Sequence, residues 1–373
     1  MGKHALLSAS SSHRWLNCPP SARLCEKYED TGSEYAQEGT DAHSLCEYKL
    51  KQALGMDAAD PTENLSFYNE EMEQCASDYA AYVLELVEDA KKSCKDPVVL
   101  IEQRLDFSRF VKDGFGTGDC VIVSDRLLHV IDFKYGMGVV VKAEKNSQLM
   151  CYALGAMDTF VDLYDIEHIR LSICQPRREN LDTWELTKEE LLSWAENVLA
   201  PTAKLAYEGK GDFCAGEHCQ FCKAKASCRS RAEYSMELAK YEFAEAPTLA
   251  PEEIAAILPQ IDILVSWAED IKTYALQQAL SGVQYPGFKV VEGRSSRKYT
   301  DEAAVASIVA HAGYDPYEKK LLGITAMTKQ LGKKRFEELL SGLVIKPQGK
   351  PVLAPDSDKR PEFHTAANDF MEE

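Results

Sequence analysis

The residue types and spacing that best suit a chemical reaction are those of Asp119, Asp132 and Lys134. Asp132 and Lys134 are two positions apart at the end of the β-prone run 127–133, and residues two apart in a strand project from the same face. Asp119 lies in the preceding β-prone run, 117–123, and a short polar turn joins the two runs. A hairpin would therefore bring two carboxylates and one ammonium group together.

Such a group of charges is unfavourable unless it binds both a cation and an anion. A divalent metal and a substrate phosphate would satisfy it, with the carboxylates holding Mg²⁺ or Mn²⁺ and Lys134 orienting or activating the attacking water. An isolated Asp-x-Lys at a strand end is equally compatible with a solvated pair that has no chemical role. The choice between these two interpretations depends on the other motifs in the sequence.

Three more segments favour the chemical interpretation. GTDAH at 39–43 is followed by Glu47, and QLMCY at 148–152 places Gln148 and Tyr152 four apart, on one face of a predicted helix. Together with Asp119 and IDFKYG at 131–136, these segments resemble the PD-(D/E)XK nuclease superfamily and, within it, the RecB-like nucleases.

The resemblance implies a role for each matching residue. The implied metal ligands are His43, Asp119, Asp132 and the backbone carbonyl of Phe133. Lys134 would help the attacking water, while Gln148 and Tyr152 would position the lysine or the DNA strand. Two further acids are weaker candidates. Glu102 is on the strand before Asp119, and Glu47 is expected to have a structural or supporting role.

Twelve cysteines without a secretion signal favour reduced thiols, some of them metal ligands, over a disulfide framework. Cys219, Cys222 and Cys228 form a C-x2-C-x5-C pattern, which is typical of metal binding. A local zinc site would add Cys214, with His218 as a further possible ligand. The remaining cysteines are predicted to be packing residues: Cys25, Cys46, Cys75, Cys94, Cys120, Cys151 and Cys174.

The same resemblance favours a [4Fe–4S] cluster over zinc. Cys18-Pro19, which follows Trp15, resembles the N-terminal cysteine motif of iron–sulfur nucleases of the AddB type and of CRISPR adaptation. In those nucleases the first ligand comes from the start of the chain. Cys18 would then join the three downstream cysteines and hold the two ends of the domain together, and Cys214 would be spare.

The net charge of −18 at first opposes nucleic-acid binding. Its distribution is uneven, because residues 319–360 carry +6 and leave −24 on the rest of the chain. This local excess is either a DNA-gripping surface or a solvated helical face. The candidate DNA contacts are Arg294, Arg297, Lys298, Lys333, Lys334 and Arg335.

The periodicity predicts an α/β core, a small mixed sheet flanked by helices, with the PD-(D/E)XK arrangement as the resemblance implies. The expected domains are a nuclease domain at 1–240, a helical extension at 241–345 and a disordered tail at 346–373. The extension includes a helix over 251–280, a short strand over 288–291 and a helix over 326–340. No membrane span or signal peptide is expected, so a cytoplasmic location in a bacterial host is predicted.

The resulting hypothesis is a Mg²⁺- or Mn²⁺-dependent DNA exonuclease of phage recombination or replication. A single-strand annealing protein or a helicase is the partner that the resemblance suggests. The alternative is a non-catalytic nucleic-acid-binding or scaffold protein that retains the fold and the cluster. RNA as the substrate is also open, because the motif contacts phosphate and does not read the sugar.

Overall fold

The structure is a computed structural model that describes residues 5–28, 32–238, 251–291, 299–317 and 321–345. The chain divides into two compact units, residues 1–290 and 291–373. The first unit is mixed α/β and contains a five-stranded mixed sheet flanked by helices. In the second unit, the described elements are helical.

The strands lie side by side in the order in which they occur along the chain. They are β1 (Val98–Asp106), β2 (Phe115–Val123), β3 (Leu127–Phe133), β4 (His168–Gln175) and β5 (Asn180–Thr187). All neighbours are antiparallel except β3 and β4, which run parallel. A parallel pair needs a crossover, and the helix Ser147–Phe160 between β3 and β4 provides it.

The first unit contains the following α-helices in its described residues. They are α1 (Ser12–Asn17), α2 (Ser21–Cys25), α3 (Glu34–Ala53), α4 (Glu70–Ser93), α5 (Ser147–Phe160), α6 (Lys188–Trp194), α7 (Ala200–Glu208), α8 (Arg229–Leu238) and α9 (Pro251–Leu280). A π-helical turn, Ala195–Leu199, joins α6 to α7. The second unit contains α10 (Glu302–His311), α11 (Ile324–Leu331) and α12 (Lys333–Leu340).

Strand alternation divides the buried core into two layers. Val121 and Val130 point toward α5, whereas Ile122 and Ile131 point toward α3 and α4. Both faces are therefore apolar, which explains why β2 and β3 are nearly continuous hydrophobic runs. The polar residues at the ends of these strands lie outside both layers.

Glycine allows the crossover helix to approach the sheet closely. A Cβ at Gly155 of α5 would lie 3.0 Å from the backbone nitrogen and oxygen of Asp106 in β1. A Cβ at Gly116 of β2 would lie 2.7 Å from the ring of Tyr152. This close packing fixes α5, and with it the two polar residues that α5 carries toward the strand ends.

The structure differs from the predicted elements in three places. The sequence pattern missed β5, because its alternate positions are polar and it is an edge strand with one exposed face. Residues 288–291, predicted as a strand, have no regular structure. The helix predicted over 326–340 is two helices, because Gly332 has a left-handed φ of 75° and ends α11. None of the described helices has the length and apolarity required to cross a membrane.

Candidate active site

Helix α3 brings His43 to Asp119 in the middle of strand β2, where the pairing of β2 with β3 stops. The buried stripe of this helix, which includes Ala42, Cys46 and Leu50, packs into the core on the α4 side of the sheet. That packing leaves the imidazole beside β2, where its Nδ1 lies 3.2 Å from Oδ1 of Asp119. The other oxygen of Asp119 accepts a hydrogen bond of 2.6 Å from the amide nitrogen of Phe133.

Glu102 completes a compact group of potential metal ligands. One ligand atom from each of His43, Glu102 and Asp119 lies within 4.8 Å of the other two. Among the residues that the structure describes, no other group of three or more histidine, cysteine or acidic side chains has its ligand atoms this close together. Asp132, which the sequence suggested as a ligand, is not one of its members.

The backbone of Glu102 is unusual for a strand. Ile101 pairs with Cys120 and Gln103 pairs with Gly118, so Glu102 lies opposite Asp119 in the ladder. Its φ of 48° is left-handed, a conformation that costs a non-glycine residue about 1–2 kcal/mol. The strained residue is therefore the one whose carboxylate lies nearest Asp119 across the two strands, and strain of this kind clusters at functional sites.

A series of side-chain hydrogen bonds connects β3 to α5. Lys134 Nζ lies 2.9 Å from Oδ2 of Asp132 and donates a 3.1 Å hydrogen bond to Oε1 of Gln148. The side-chain nitrogen Nε2 of Gln148 in turn donates to the hydroxyl of Tyr152 at 3.0 Å. Asn146 caps α5 by accepting from the amides at the first turn, which sets the start of the helix and the position of Gln148.

The acids and the imidazole shift one another's protonation. Burial lowers the pKa of His43, but the charges of Asp119 and Asp132 outweigh it and raise the pKa to about 9. Burial and the nearby charge of Asp119 raise the pKa of Glu102 to about 7. Burial acts against ionisation of Asp119, yet His43 and Lys134 hold its pKa below the usual range.

Asp132 is buried, and its partner Lys134 is partly exposed. Burial raises the pKa of Asp132 even though Lys134 acts in the opposite direction. Burial alone would lower the pKa of Lys134, and the two acids Asp132 and Asp119 raise it instead. The Oδ2 atom of Asp132 is buried and lies 2.9 Å from Lys134 Nζ. A carboxylate oxygen has two lone pairs, so this contact leaves acceptor capacity for a cation.

These observations fit a divalent cation. Two carboxylates and one imidazole face one another closely enough to share an ion, and the carboxylate of Asp132 lies nearby. Oxygen-rich sets of this kind suit Mg²⁺ or Mn²⁺. For Phe133, it is the amide that contacts Asp119. Glu47 forms an ion pair with Lys51 one helical turn away and is not in the group.

The cysteines of the two chain regions line one small void. Its walls include Cys18 together with Cys214, Cys219, Cys222 and Cys228. Three cations, Arg14, Lys225 and Arg231, also line it. Asp270 of α9 holds two of these cations, at 2.8 Å from Lys225 and 2.5 Å from Arg231.

The donor set fits a thiolate-bound metal group. Four thiolates around a cluster leave a net negative charge, which the lining cations would balance. No three cysteine sulfurs within the described residues lie within 4.8 Å of one another, although the thiolates around one zinc ion must. The void between these side chains is small, about 10 Å³.

Two cysteines differ from their predicted surroundings. Cys25, predicted to be a packing residue, is buried but has its sulfur 3.6 Å from the sulfur of Cys222, 197 positions away. Their shared hydrogen bond lowers the pKa of the Cys25 thiol. Sequence spacing could not find this contact. Cys214 is exposed, and its carbonyl lies 2.9 Å from Nε2 of His218.

The candidate DNA contacts of the C-terminal region are only partly described. Lys334 and Arg335 of α12 are exposed, and Arg335 forms an ion pair with Glu338. Arg294, Arg297, Lys298 and the side chain of Lys333 lie outside the described residues.

Residues 4–361 match a family model described as "Protein of unknown function (DUF2800)". The chain belongs to this family. Among solved structures, it is similar to one described as "Crystal structure of SSO0001". The two share 14% sequence identity, and the alignment covers 50% of this chain and 95% of the other, with a TM-score of 0.23. A TM-score this low does not establish a shared fold.

Proposed function

We propose that this DUF2800 chain is a divalent-metal-dependent DNA nuclease of the PD-(D/E)XK type. One observation carries the proposal: the ligand atoms of His43, Glu102 and Asp119 lie within 4.8 Å of one another at the end of the strand pair that also presents Lys134. A solvated structural pair would not require a strained acid and a buried carboxylate at one place.

His43, Glu102 and Asp119 would hold Mg²⁺ or Mn²⁺, with Asp132 as a further ligand. The ion, when bound, lowers the pKa of bound water and offsets the charge that develops on the phosphate. The protein's own task is to keep this group deprotonated and in place. The hydrogen bond from the Phe133 amide to Asp119 serves that end, because it fixes the carboxylate and stabilises its charged form.

Lys134 is suited to orient the attacking water or a phosphate oxygen. Its ammonium group lies between Asp132 and Gln148, and both partners act as acceptors, so its side chain has a defined direction. Gln148 is fixed in turn by Tyr152, whose ring packs against Gly116. This chain of contacts would position the lysine for in-line attack on phosphorus.

The test is cleavage of end-labelled single- and double-stranded DNA by anaerobically purified full-length protein. Reactions would contain Mn²⁺, Mg²⁺ or EDTA, with an RNA strand of the same sequence in parallel. Metal-dependent cleavage that the Lys134→Ala variant lacks supports the proposal, and the position of the label would distinguish exonuclease from endonuclease action. A folded protein that binds DNA in every metal and cuts none would favour the scaffold alternative.

We further propose that Cys18, Cys219, Cys222 and Cys228 bind a [4Fe–4S] cluster with a structural role. The shared void and the three lining cations support a thiolate-bound anionic group there. Zinc is the competing metal, since the void as it stands is small. Iron, zinc and acid-labile sulfide measured on anaerobically purified protein decide between them. About four iron and four sulfide per chain supports the cluster, and one zinc without sulfide supports the alternative.

A further inference from the structure

The loop that follows Lys134 presents apolar side chains to solvent. The side chains of Met137, Val139 and Val140 are 48%, 51% and 44% exposed. These three residues form the apolar tip of the loop. The loop begins immediately after the proposed reactive lysine and ends at Asn146, the cap of α5. The tip is thus within three to six residues of the candidate active site, at the same end of the sheet.

Buried amide side chains hold the backbone of this loop. Gln175, at the end of β4, is almost fully buried and donates from Nε2 to the carbonyls of Gly136 at 2.7 Å and Val139 at 2.9 Å. Its Oε1 accepts from the amide of Val141 at 3.2 Å. Asn180, also buried, donates to the carbonyl of Val141 at 2.9 Å.

This arrangement argues against a loose surface loop. Burying an amide side chain is costly unless its hydrogen bonds are satisfied, and here the bonds satisfied are those of the loop backbone. The backbone is therefore fixed while its apolar side chains remain in water. A fixed apolar projection next to a polar site is typical of a contact surface for a ligand.

The two glycines that flank Met137 are not required by the fold. Neither Gly136 nor Gly138 has a left-handed φ, and a Cβ added at either position would meet no atom within 4 Å. Side chains there would thus be accommodated by the protein itself. Their absence leaves both sides of Met137 open to a flat group approaching from outside.

The charges around the tip suit a polyanion. Arg178 donates to the carbonyl of Met137 at 3.2 Å and is exposed. Lys142 is exposed at the other end of the tip. Neither cation forms an ion pair within the described ranges of the chain, so both could face phosphate groups.

We propose that the apolar tip is a wedge that stacks against the terminal base pair of a DNA duplex and separates its strands at the active site. This inference rests on the proposed nuclease function. Met and small aliphatic side chains are used in this way by proteins that unstack base steps. Three side chains on one loop are too small a surface for a stable protein partner, which needs about 1,000 Å² or more.

The wedge is tested with the triple variant Met137→Ser/Val139→Ser/Val140→Ser in full-length protein. The substrates are a blunt duplex and a single strand of the same sequence, each with Mn²⁺. The expected result is a fall of about tenfold or more in the rate on the duplex, with the rate on the single strand within about twofold of the wild type. Val161→Ser/Leu163→Ser, which changes exposed apolar residues after α5, is the matched control.

A second measurement does not depend on cleavage. The duplex carries 2-aminopurine in its terminal base pair, and Ca²⁺ replaces Mn²⁺. Wild-type protein should raise the fluorescence by unstacking the base, and the triple variant should not. Gly138→Ala should leave the denaturation midpoint unchanged, because its Cβ meets no protein atom, and yet reduce the fluorescence change.

An equal loss of activity on both substrates, an unchanged rate on the duplex, or no fluorescence change with wild-type protein would each overturn the wedge. If the wild type cuts neither substrate in Mn²⁺ or Mg²⁺, the nuclease proposal fails, and the fluorescence experiment still reports on the wedge. The two proposals can thus fail separately.

Discussion

Glu102 lies directly across the β1–β2 ladder from Asp119, with a left-handed backbone that interrupts the pairing of the two strands. Two carboxylates at such a position repel each other, which contributes to the raised pKa of Glu102. The polypeptide thus accepts both backbone strain and charge repulsion at one point. A bound cation would relieve the repulsion, and the proposed metal site explains why the strain is retained.

Replacing Glu102 should separate stability from metal binding. Glu102→Gln keeps the shape and removes the charge, so the affinity for Mn²⁺ should fall by about tenfold or more. Glu102→Gly removes the left-handed penalty of about 1–2 kcal/mol but adds unfolded-state entropy of about 0.5–1 kcal/mol, so the metal-free protein should be unchanged or up to about 1.5 kcal/mol more stable. Calorimetric titration and urea unfolding measure the two effects. Wild-type Mn²⁺ affinity in the glutamine variant would remove Glu102 from the site.

Lys134→Ala should lower the cleavage rate by about 10²- to 10⁴-fold while leaving DNA binding in place. The variant also leaves the buried Asp132 without its cation, so the free energy of unfolding should fall by about 1–3 kcal/mol. Single-turnover cleavage and urea unfolding provide the two numbers. Lys51→Ala, which breaks a half-exposed helical pair with Glu47, is the matched control and should change neither by much. Comparable rates in both variants would refute a role for Lys134.

The metal-free protein should lose stability as the pH rises from about 5 to about 9. Glu102 has a raised pKa of about 7, so the folded form binds the extra proton only below that pH. His43 has a raised pKa of about 9, so its favourable charge is complete below about 6.5 and is lost through pH 9. Metal binding needs both groups deprotonated, so the increase in Tm caused by Mn²⁺ should grow over the same range.

Thermal melts at several pH values, with and without Mn²⁺, measure this effect. His43→Gln removes the titrating imidazole and should flatten the upper part of the metal-free profile, between about pH 6.5 and 9. A profile that is the same in wild type and His43→Gln would show that His43 does not carry the effect.

Cysteine variants should separate the proposed ligands from the neighbouring thiol. Cys219→Ser should lose most of the iron and the visible absorbance, because serine is a poor ligand for this cluster. Cys25→Ser should retain both, since Cys25 does not line the void. Cys151→Ser, a fully buried position in α5, controls for general damage to the core. Iron loss in Cys25→Ser that equals the loss in Cys219→Ser would place Cys25 among the ligands.

Two glycine-to-alanine changes should have opposite effects on stability. Gly155→Ala places a methyl group 3.0 Å from the backbone of β1 and should cost about 1–3 kcal/mol as α5 moves outward. Gly39→Ala lies inside α3 with no atom near its Cβ, and it should gain up to about 1 kcal/mol from helix propensity. Urea unfolding measures both, and a Gly155→Ala variant as stable as the wild type would contradict the close packing described for α5.

Much of the α/β core could be predicted because its signals are local. An apolar run predicted β3 and the position of Lys134 beyond it, and the spacing of Gln148 and Tyr152 placed them on one face of α5. Edge strand β5 was missed because it buries little. The place of Glu102 in the site depends on its backbone conformation, which residue type does not reveal. The contact between Cys25 and Cys222 spans 197 positions, beyond any periodic pattern.

The void lined by Cys18 and by Cys219, Cys222 and Cys228 has a consequence for the order of events during translation. Cys18 leaves the ribosome first, and the other three follow only after all five strands have been made. Domains form progressively from the N-terminus as the chain is made. If the four thiols share a cluster, its insertion can be completed only on a chain synthesised beyond residue 228. A protein carrying the full cluster would then be one whose sheet has already been made, and truncated products would be recognisable by their lack of colour.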